Sequence, residues 1–237
     1  FRSPVAHADI ISVDVEAARA APGVALVLTA ADLEAAGGVS DIPAAIMRNV
    51  DGSRGAATKR PFLAEGRVRF VGEPVAVVVA ETANAAKEAA ELIEFEYEEL
   101  DAHLAVAPGG PALYDAAPDN LAFDWGLGDA DATEAALAAS AHRVKLDVAD
   151  NRIIVNSLEP RGAFAEWGED GRVHLCYGGQ GVWGMKDRLA KALKMKPDQV
   201  RVTTPDVGGG FGMKGFTYPE YYLARRGGGP PRPRKRC

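Results

Sequence analysis

Nine consecutive residues, Asp206-Val207-Gly208-Gly209-Gly210-Phe211-Gly212-Met213-Lys214, are the most chemically suggestive stretch of the 237-residue chain. They follow an alternation of Val200 and Val202 that ends at Thr204-Pro205 and predicts a strand. Successive glycines let a backbone take positive φ, turn its N–H groups into one concavity and admit a ligand closely. Such a loop suits an anionic group. The plain structural alternative is a tight strand-to-helix turn, which needs fewer than four glycines around one Phe. Gly210, Gly212 and Gly215 satisfy a G-x-G-x-x-G spacing, which leaves a nucleotide-binding module open as an alternative. Against it, Pro219 interrupts the helix that should follow, and no acidic residue lies about 20 positions on. A Walker loop fails because Lys214 stands between Met213 and Gly215.

Other reactive side chains are more ambiguous. Cys176 and Cys237 are the only cysteines, with no Cys-x-x-Cys spacing, so neither a disulfide framework nor a thiolate metal site is encoded. The histidines, His7, His103, His142 and His174, have no metal-ligand spacing and receive no role. Glu159 reads as a partner of Arg161 or a support for the Pro160 turn, and Lys214 reads as solvated at a helix start, with neutralising the charge of a bound group as its functional alternative. Cys176, between Leu175 and Tyr177, reads as a small strand residue, and Trp183 and Met185 read as core, with a substrate-channel wall as their functional alternative.

The elements that must position these residues alternate strand and helix signals. Ile11, Val13 and Val15 alternate with Ile10, Ser12 and Asp14; Pro22-Gly23 turns the chain before an apolar strand, Val24 to Leu28. Thr29 caps a short helix over 30–36 that Gly37-Gly38 ends, and 41–60 reads as a loop. Val68 and Phe70 alternate with Arg67 and Arg69, Val75 to Ala80 reads as a buried strand, and Ala86, Ala89, Ala90 and Ile93 share a helix face. Ile93, Phe95 and Tyr97 then oppose a stripe of Glu94, Glu96 and Glu98, read as a solvated face. Beyond an Ala/Pro/Gly-rich linker at 104–125 come a helix over 132–139, an alternating strand of Val144, Leu146 and Val148, and a hairpin turning at Asp170-Gly171. Met185, Leu189, Ala192 and Leu193 mark an amphipathic helix, and 218–224 looks helical. The fold class is α/β (α+β) in two units, 1–103 and 126–224.

Composition bounds the function. With 47% hydrophobic and 25% charged residues, the chain is an ordinary globular one, and no apolar run approaches membrane-spanning length. The net charge is −6, but 225–237 holds five Arg, one Lys and no acid, so residues 1–224 alone carry −12. A body this acidic repels phosphate backbones. The tail reads as basic low-complexity sequence, and its Arg/Gly/Pro bias also looks like translation out of frame through GC-rich DNA. An inactive structural fragment whose tail adheres to nucleic acid is the corresponding third functional class. Cysteine usage fits a reducing, cytoplasmic setting.

Gly208-Gly209-Gly210-Phe211-Gly212-Met213-Lys214 resembles the Gly-Gly-Gly-Phe-Gly-x-Lys loop of the molybdopterin-binding large subunit of the xanthine dehydrogenase and aldehyde oxidase family, which includes the carbon monoxide dehydrogenase large chain. The context is similar too. Arg2-Ser3-Pro4-Val5-Ala6-His7-Ala8 and Val71-Gly72-Glu73-Pro74-Val75-Ala76 resemble that family's α/β hammerhead domain, and Glu159-Pro160-Arg161-Gly162-Ala163 resembles the domain after it. Gln180, 31 positions before Phe211, sits where the family keeps a glutamine.

The resemblance implies a hammerhead domain followed by the incomplete first part of a molybdopterin-binding domain. It implies oxidative hydroxylation of an aldehyde or N-heterocycle, or oxidation of carbon monoxide, on a molybdenum–molybdopterin cofactor, plain or as the cytosine dinucleotide. Electrons would pass to [2Fe-2S] and FAD groups on separate subunits, since this chain has no cysteine pattern for clusters. By the same resemblance, Gln180, Gly209, Gly210, Phe211 and Gly212 would hold the cofactor, with the Gln180 amide and the Phe211 and Gly212 N–H groups near a metal oxo ligand. No direct metal ligand and no catalytic base is expected within these residues, because the family's glutamate base lies in a later segment. The chain alone is then expected to be inactive. Purine hydroxylases place a substrate-binding glutamate where Gly215 stands, so xanthine is not the expected substrate.

Overall fold

In the computed structural model of the chain, residues 1–37, 41–42, 46–150 and 153–227 are described, with side chains through residue 224. Expectations for Gly38, for part of the 41–60 loop and for most of the basic tail lie outside these residues. Among the described residues no helix is long and apolar enough to cross a membrane.

The first strand, β1 (Ala8–Asp14), is the centre of a three-stranded antiparallel sheet between β3 (Arg67–Val68) and β5 (Glu94–Glu99). Its pattern departs from simple alternation. The pairing with β5 slips by one residue between Ile10 and Ser12, leaving Ile11 65% exposed while Ile10 and Val13 pack inward. A single extra residue in one strand moves the following side chains to the other face, so the expected Ile11–Val13–Val15 face does not form. On β5, Phe95 meets Phe1 edge-on with ring centroids 5.8 Å apart, and the expected acid stripe is exposed.

A two-stranded antiparallel ribbon, β2 (Val24–Leu28) with β4 (Val77–Ala80), explains the uninterrupted apolar runs of both strands. Val27 and Val78 face one core with Ala18, Ala89 and Ile93, whereas Leu28 and Val77 face another. Both faces of the ribbon are therefore covered, and β4 itself is half-buried. Helices α1 (Glu16–Ala20) and α3 (Ala83–Glu91) cover the first side. Thr82 Oγ1 caps α3 by accepting the Ala85 N–H at 3.1 Å. Between the strands, α2 (Ala30–Ala35) starts where the Asp32 carboxylate accepts from the Thr29 N–H and hydroxyl at 2.7 and 2.8 Å.

After the irregular 104–125 stretch comes α4 (Ala130–Ala139), exposed on every face and capped by Asp129, whose carboxylate accepts the Ala132 N–H at 2.9 Å. The expected strand at Val144, Leu146 and Val148 does not form: the three side chains are 95%, 79% and 75% exposed and no neighbouring strand pairs with them among the described residues. The hairpin of β6 (Ala163–Trp167) and β7 (Val173–Tyr177) does form, but Trp167 faces Val173 across a five-residue connection instead of a two-residue turn. Parallel to β7 runs β8 (Val200–Thr203), reached through α5 (Trp183–Ala192). That β–α–β crossover stacks Met185, Leu189 and Ala192 on the sheet. The last helix, α6 (Pro219–Gly227), begins with its proline, a residue suited to a first helical position because it has no N–H to satisfy. The largest buried cluster joins both ends of the chain: Phe62 stacks on Tyr222 at 4.7 Å, beside Leu63, Leu175, Leu189 and Tyr221.

Candidate functional site

The glycine loop leaves the end of β8 and the turn carrying Gln180 leaves the end of β7, so adjacent parallel strands deliver both to one edge of the sheet. The Gln180 side chain lies flat against Gly210. A methyl group added at Gly210 would sit 2.7 Å from Gln180 Cδ and Oε1, and any side chain there would push the carboxamide away. The Gln180 N–H donates to the Lys214 carbonyl at 3.1 Å, which ties the turn to the far end of the loop. Gln180, Phe211 and Gly212 are exposed, and Gly209 and Gly210 are half-buried.

The loop backbone is unusual. Gly208, Gly209 and Gly212 have φ of 57°, 98° and 84°, and Phe211 itself adopts φ 48°, a region costly for a residue with a Cβ. Among the described residues the N–H groups of Gly209, Gly210, Phe211 and Gly212 have no acceptor. A glycine-rich backbone that changes hand is a setting in which successive N–H groups can turn toward one anionic group, and these four are free to donate to one. Ser157, nine-tenths buried, lies beneath the loop near Gly209, and its Oγ has no partner. The donor set therefore fits a group rich in oxo, phosphate or pterin acceptors; Glu159 Cβ leaves no room for a side chain at Gly208, and a side chain at Gly210 would displace the Gln180 carboxamide.

Lys214 corrects the sequence reading. It is fully buried rather than solvated, and its ammonium donates to the Val207 carbonyl at the start of the loop. Glu159 does not pair with Arg161: that guanidinium lies 3.6 Å over the Tyr218 ring and 3.8 Å from the Glu220 carboxylate, while the Glu159 N–H donates to the Gly208 carbonyl at 3.3 Å. Trp183 is 76% exposed, contrary to a core role, whereas Met185 is buried. Cys176 is half-buried on β7. His174 is held by Thr203 Oγ1 at 2.7 Å and Glu166 at 3.2 Å, a structural arrangement. For the nucleotide alternative, Gly215 closes a single 3-10 turn and α6 starts only at Pro219, so the glycines do not lead directly into the helix that this spacing requires.

A second concavity, of about 460 Å³, lies near Lys59, Glu65, Arg67 and Arg69. Its basic side chains are already committed: Arg67 to Asp9 at 2.6 Å, Lys59 to Glu65, and Arg69 to the Leu113 carbonyl at 2.8 Å and the Tyr114 ring. The glycine loop, with its unfilled donors, is the stronger site.

Residues 1–101 match the aldehyde oxidase and xanthine dehydrogenase a/b hammerhead domain, and residues 113–225 match the molybdopterin cofactor-binding domain. The chain belongs to the xanthine dehydrogenase and aldehyde oxidase family of molybdopterin-binding large subunits. It is 36% identical to the nicotine 6-hydroxylase large subunit of Paenarthrobacter nicotinovorans, over 94% of this chain and 27% of that one. The carbon monoxide dehydrogenase large chain of Hydrogenophaga pseudoflava is 30% identical, over 94% and 28%. The structure of quinoline 2-oxidoreductase from Pseudomonas putida 86 superposes with a TM-score of 0.76 at 34% identity, covering 95% of this chain and 29% of that one. The chain thus spans somewhat over a quarter of the length of these family members. The family's fold, a hammerhead followed by a molybdopterin-binding region, is the one found here.

Proposed function

We propose that the chain forms the first part of a molybdenum hydroxylase large subunit, with units at 1–103 and 126–224 joined through 104–125, and that Gln180, Gly209, Gly210, Phe211 and Gly212 hold its molybdenum–molybdopterin cofactor. The observation that carries this reading is the placement of the Gln180 carboxamide against Gly210, beside four backbone N–H groups without acceptors. When bound, such a group supplies the two-electron redox chemistry of substrate hydroxylation. The protein's contribution is orientation and charge stabilisation. Gln180 and the Phe211 and Gly212 amides would donate to the group, and donors held before substrate arrives need no reorganisation during reaction. Glu159 and Gln180 keep the glycine backbone in register.

The hydroxylated substrate is an aldehyde or N-heterocycle in this reading, consistent with relatives named for nicotine, quinoline and aldehyde. Oxidation of carbon monoxide is the family's other chemistry, as the name of a 30% identical relative states. Separate iron–sulfur and flavin subunits take the electrons. The cofactor is the plain pterin or its cytosine dinucleotide, and the setting is cytoplasmic.

The test uses a full-length large subunit carrying this sequence, expressed with its redox subunits. Gln180→Ala is expected to lower turnover about 10²- to 10³-fold, the effect of losing one preorganised donor, with molybdenum content by mass spectrometry unchanged. An unchanged turnover removes Gln180 from the site. The 237-residue chain by itself is expected to carry no molybdenum; stoichiometric metal with turnover would overturn its description as a part.

A further inference from the structure

Lys214 is the one lysine that is completely buried among the described residues, and it lies in the glycine loop itself. Its surroundings show what the burial achieves. The ammonium donates to the carbonyl of Val207, seven residues earlier, so the side chain spans the loop from its end to its beginning. Its own carbonyl accepts the Gln180 N–H at 3.1 Å. Its Nζ would lie 3.9 Å from a Cβ built on Gly178, on β7's side of the site, and a Glu159 carboxylate oxygen would lie 3.4 Å from the same point. One residue thus touches the start of the loop, its last turn and the turn bearing the carboxamide. Tyr218 adds an outer brace by donating to the Met213 carbonyl at 2.8 Å.

We infer that Lys214 is a positioning residue: it splints the glycine loop closed and sets Gln180 against Gly210, without itself meeting substrate. The geometry explains why a cation is placed there. Val207 C=O is a backbone acceptor at the point where the chain leaves β8, and a buried acceptor left unpaired is costly. An ammonium satisfies it and also places a positive charge within the glycine loop. A methionine of similar reach would fill the volume and provide neither. The role rests on the proposed cofactor site only for its purpose; the splint itself is a property of this chain.

Hydrogen exchange on the 237-residue chain separates the two. In Lys214→Met, the amides of Gln180, Met213 and Gly215 are expected to exchange roughly ten- to a hundredfold faster, while Leu175 and Leu189 in the core keep their protection. Lys214→Arg, which retains donors, is expected to recover most of the loop protection. Unchanged loop exchange in the methionine variant overturns the splint, as does equal acceleration at the core amides or an arginine variant no better protected than methionine. If Lys214→Met does not fold, Tyr218→Phe supplies the second measurement: it removes only the brace at Met213, and is expected to raise exchange at Met213 and Gly215 while the lysine keeps the Gln180 amide protected. Acceleration of Gln180 to the same degree would overturn the proposal. Failure of the full-length subunit to bind molybdopterin, with these exchange results as expected, would instead refute the cofactor reading and leave the splint standing.

Discussion

Val173-His174-Leu175-Cys176-Tyr177 and Val144-Lys145-Leu146-Asp147-Val148 carry the same alternation of apolar and other residues, yet they end in opposite environments. In β7, Val173 and Leu175 are completely buried and Tyr177 is 4% exposed, because β6 and β8 pair with the strand on both sides and α5 and α6 cover one face. In 144–148 the three equivalent positions are at least 75% exposed and, among the described residues, no strand lies alongside. Period-two patterning specifies a face. It does not by itself supply the neighbour that makes a strand, because backbone donors and acceptors must be satisfied across a sheet, between segments distant in sequence.

The sharpest way to break this contrast is Leu175→Ala. Truncating a fully buried leucine on the central strand leaves a cavity between α5 and the sheet, and the expected cost is about 2–5 kcal/mol in urea unfolding. A cost below about 1 kcal/mol would mean that the two stretches are not energetically different, and the burial contrast would lose its meaning. The same core joins Leu33, Ile42, Phe62 and Leu63 to the C-terminal elements, so the loss is expected to loosen both ends of the chain in one transition.

Much of the local structure was legible in the residues. Pro22-Gly23 and the apolar run after it locate β2 to the residue, and Thr29 stands where its helix begins. The glycine loop was visible from its composition, and the resemblance put Gln180 opposite it; the structure does bring the carboxamide to Gly210. What was not legible depended on distant partners. The slip at Ile11 follows from how β1 meets β5, some 84 residues away at Ser12 and Glu96. Lys214 looked like any surface lysine because its acceptor is a backbone carbonyl, which no side-chain pattern announces. Phe62 on Tyr222, and Arg2 with Glu220, join the ends of the chain through contacts that no window of sequence contains.

A smaller effect tests burial from the polar side. Glu73, 5% exposed, accepts the Arg69 N–H at 2.6 Å, and burial nevertheless pushes its carboxyl above the ordinary value of 4.5, with that hydrogen bond and the Arg69 charge pulling the other way. Because its proton is held more tightly in the folded state, its contribution to stability is full below about pH 4.5 and is lost as pH rises through the raised value. Glu73→Gln removes this dependence. The variant is expected to gain stability on the parent as pH rises from 4 to 7.5 in paired urea titrations, each tenfold difference in proton affinity between the folded and unfolded chain being worth about 1.4 kcal/mol. Parallel stability curves would show that the buried carboxyl carries no desolvation cost, and that burial here does not discriminate charge.

The smallest effect is the most informative about the comparison. Leu146→Ala removes three carbons from a side chain 79% exposed, so the expected change in unfolding free energy is within about 0.5 kcal/mol, against the several lost at Leu175. The two substitutions are chemically identical and sit in the same alternating pattern, so their difference isolates what a paired, covered strand adds. A loss above about 1 kcal/mol at Leu146 would mean that 144–148 is covered in solution. Sedimentation then tells how: a cost that grows with protein concentration points to pairing between copies, for which Lys145 and Asp147 offer opposite charges when two such segments meet antiparallel about Leu146. A cost independent of concentration would place the segment against its own chain.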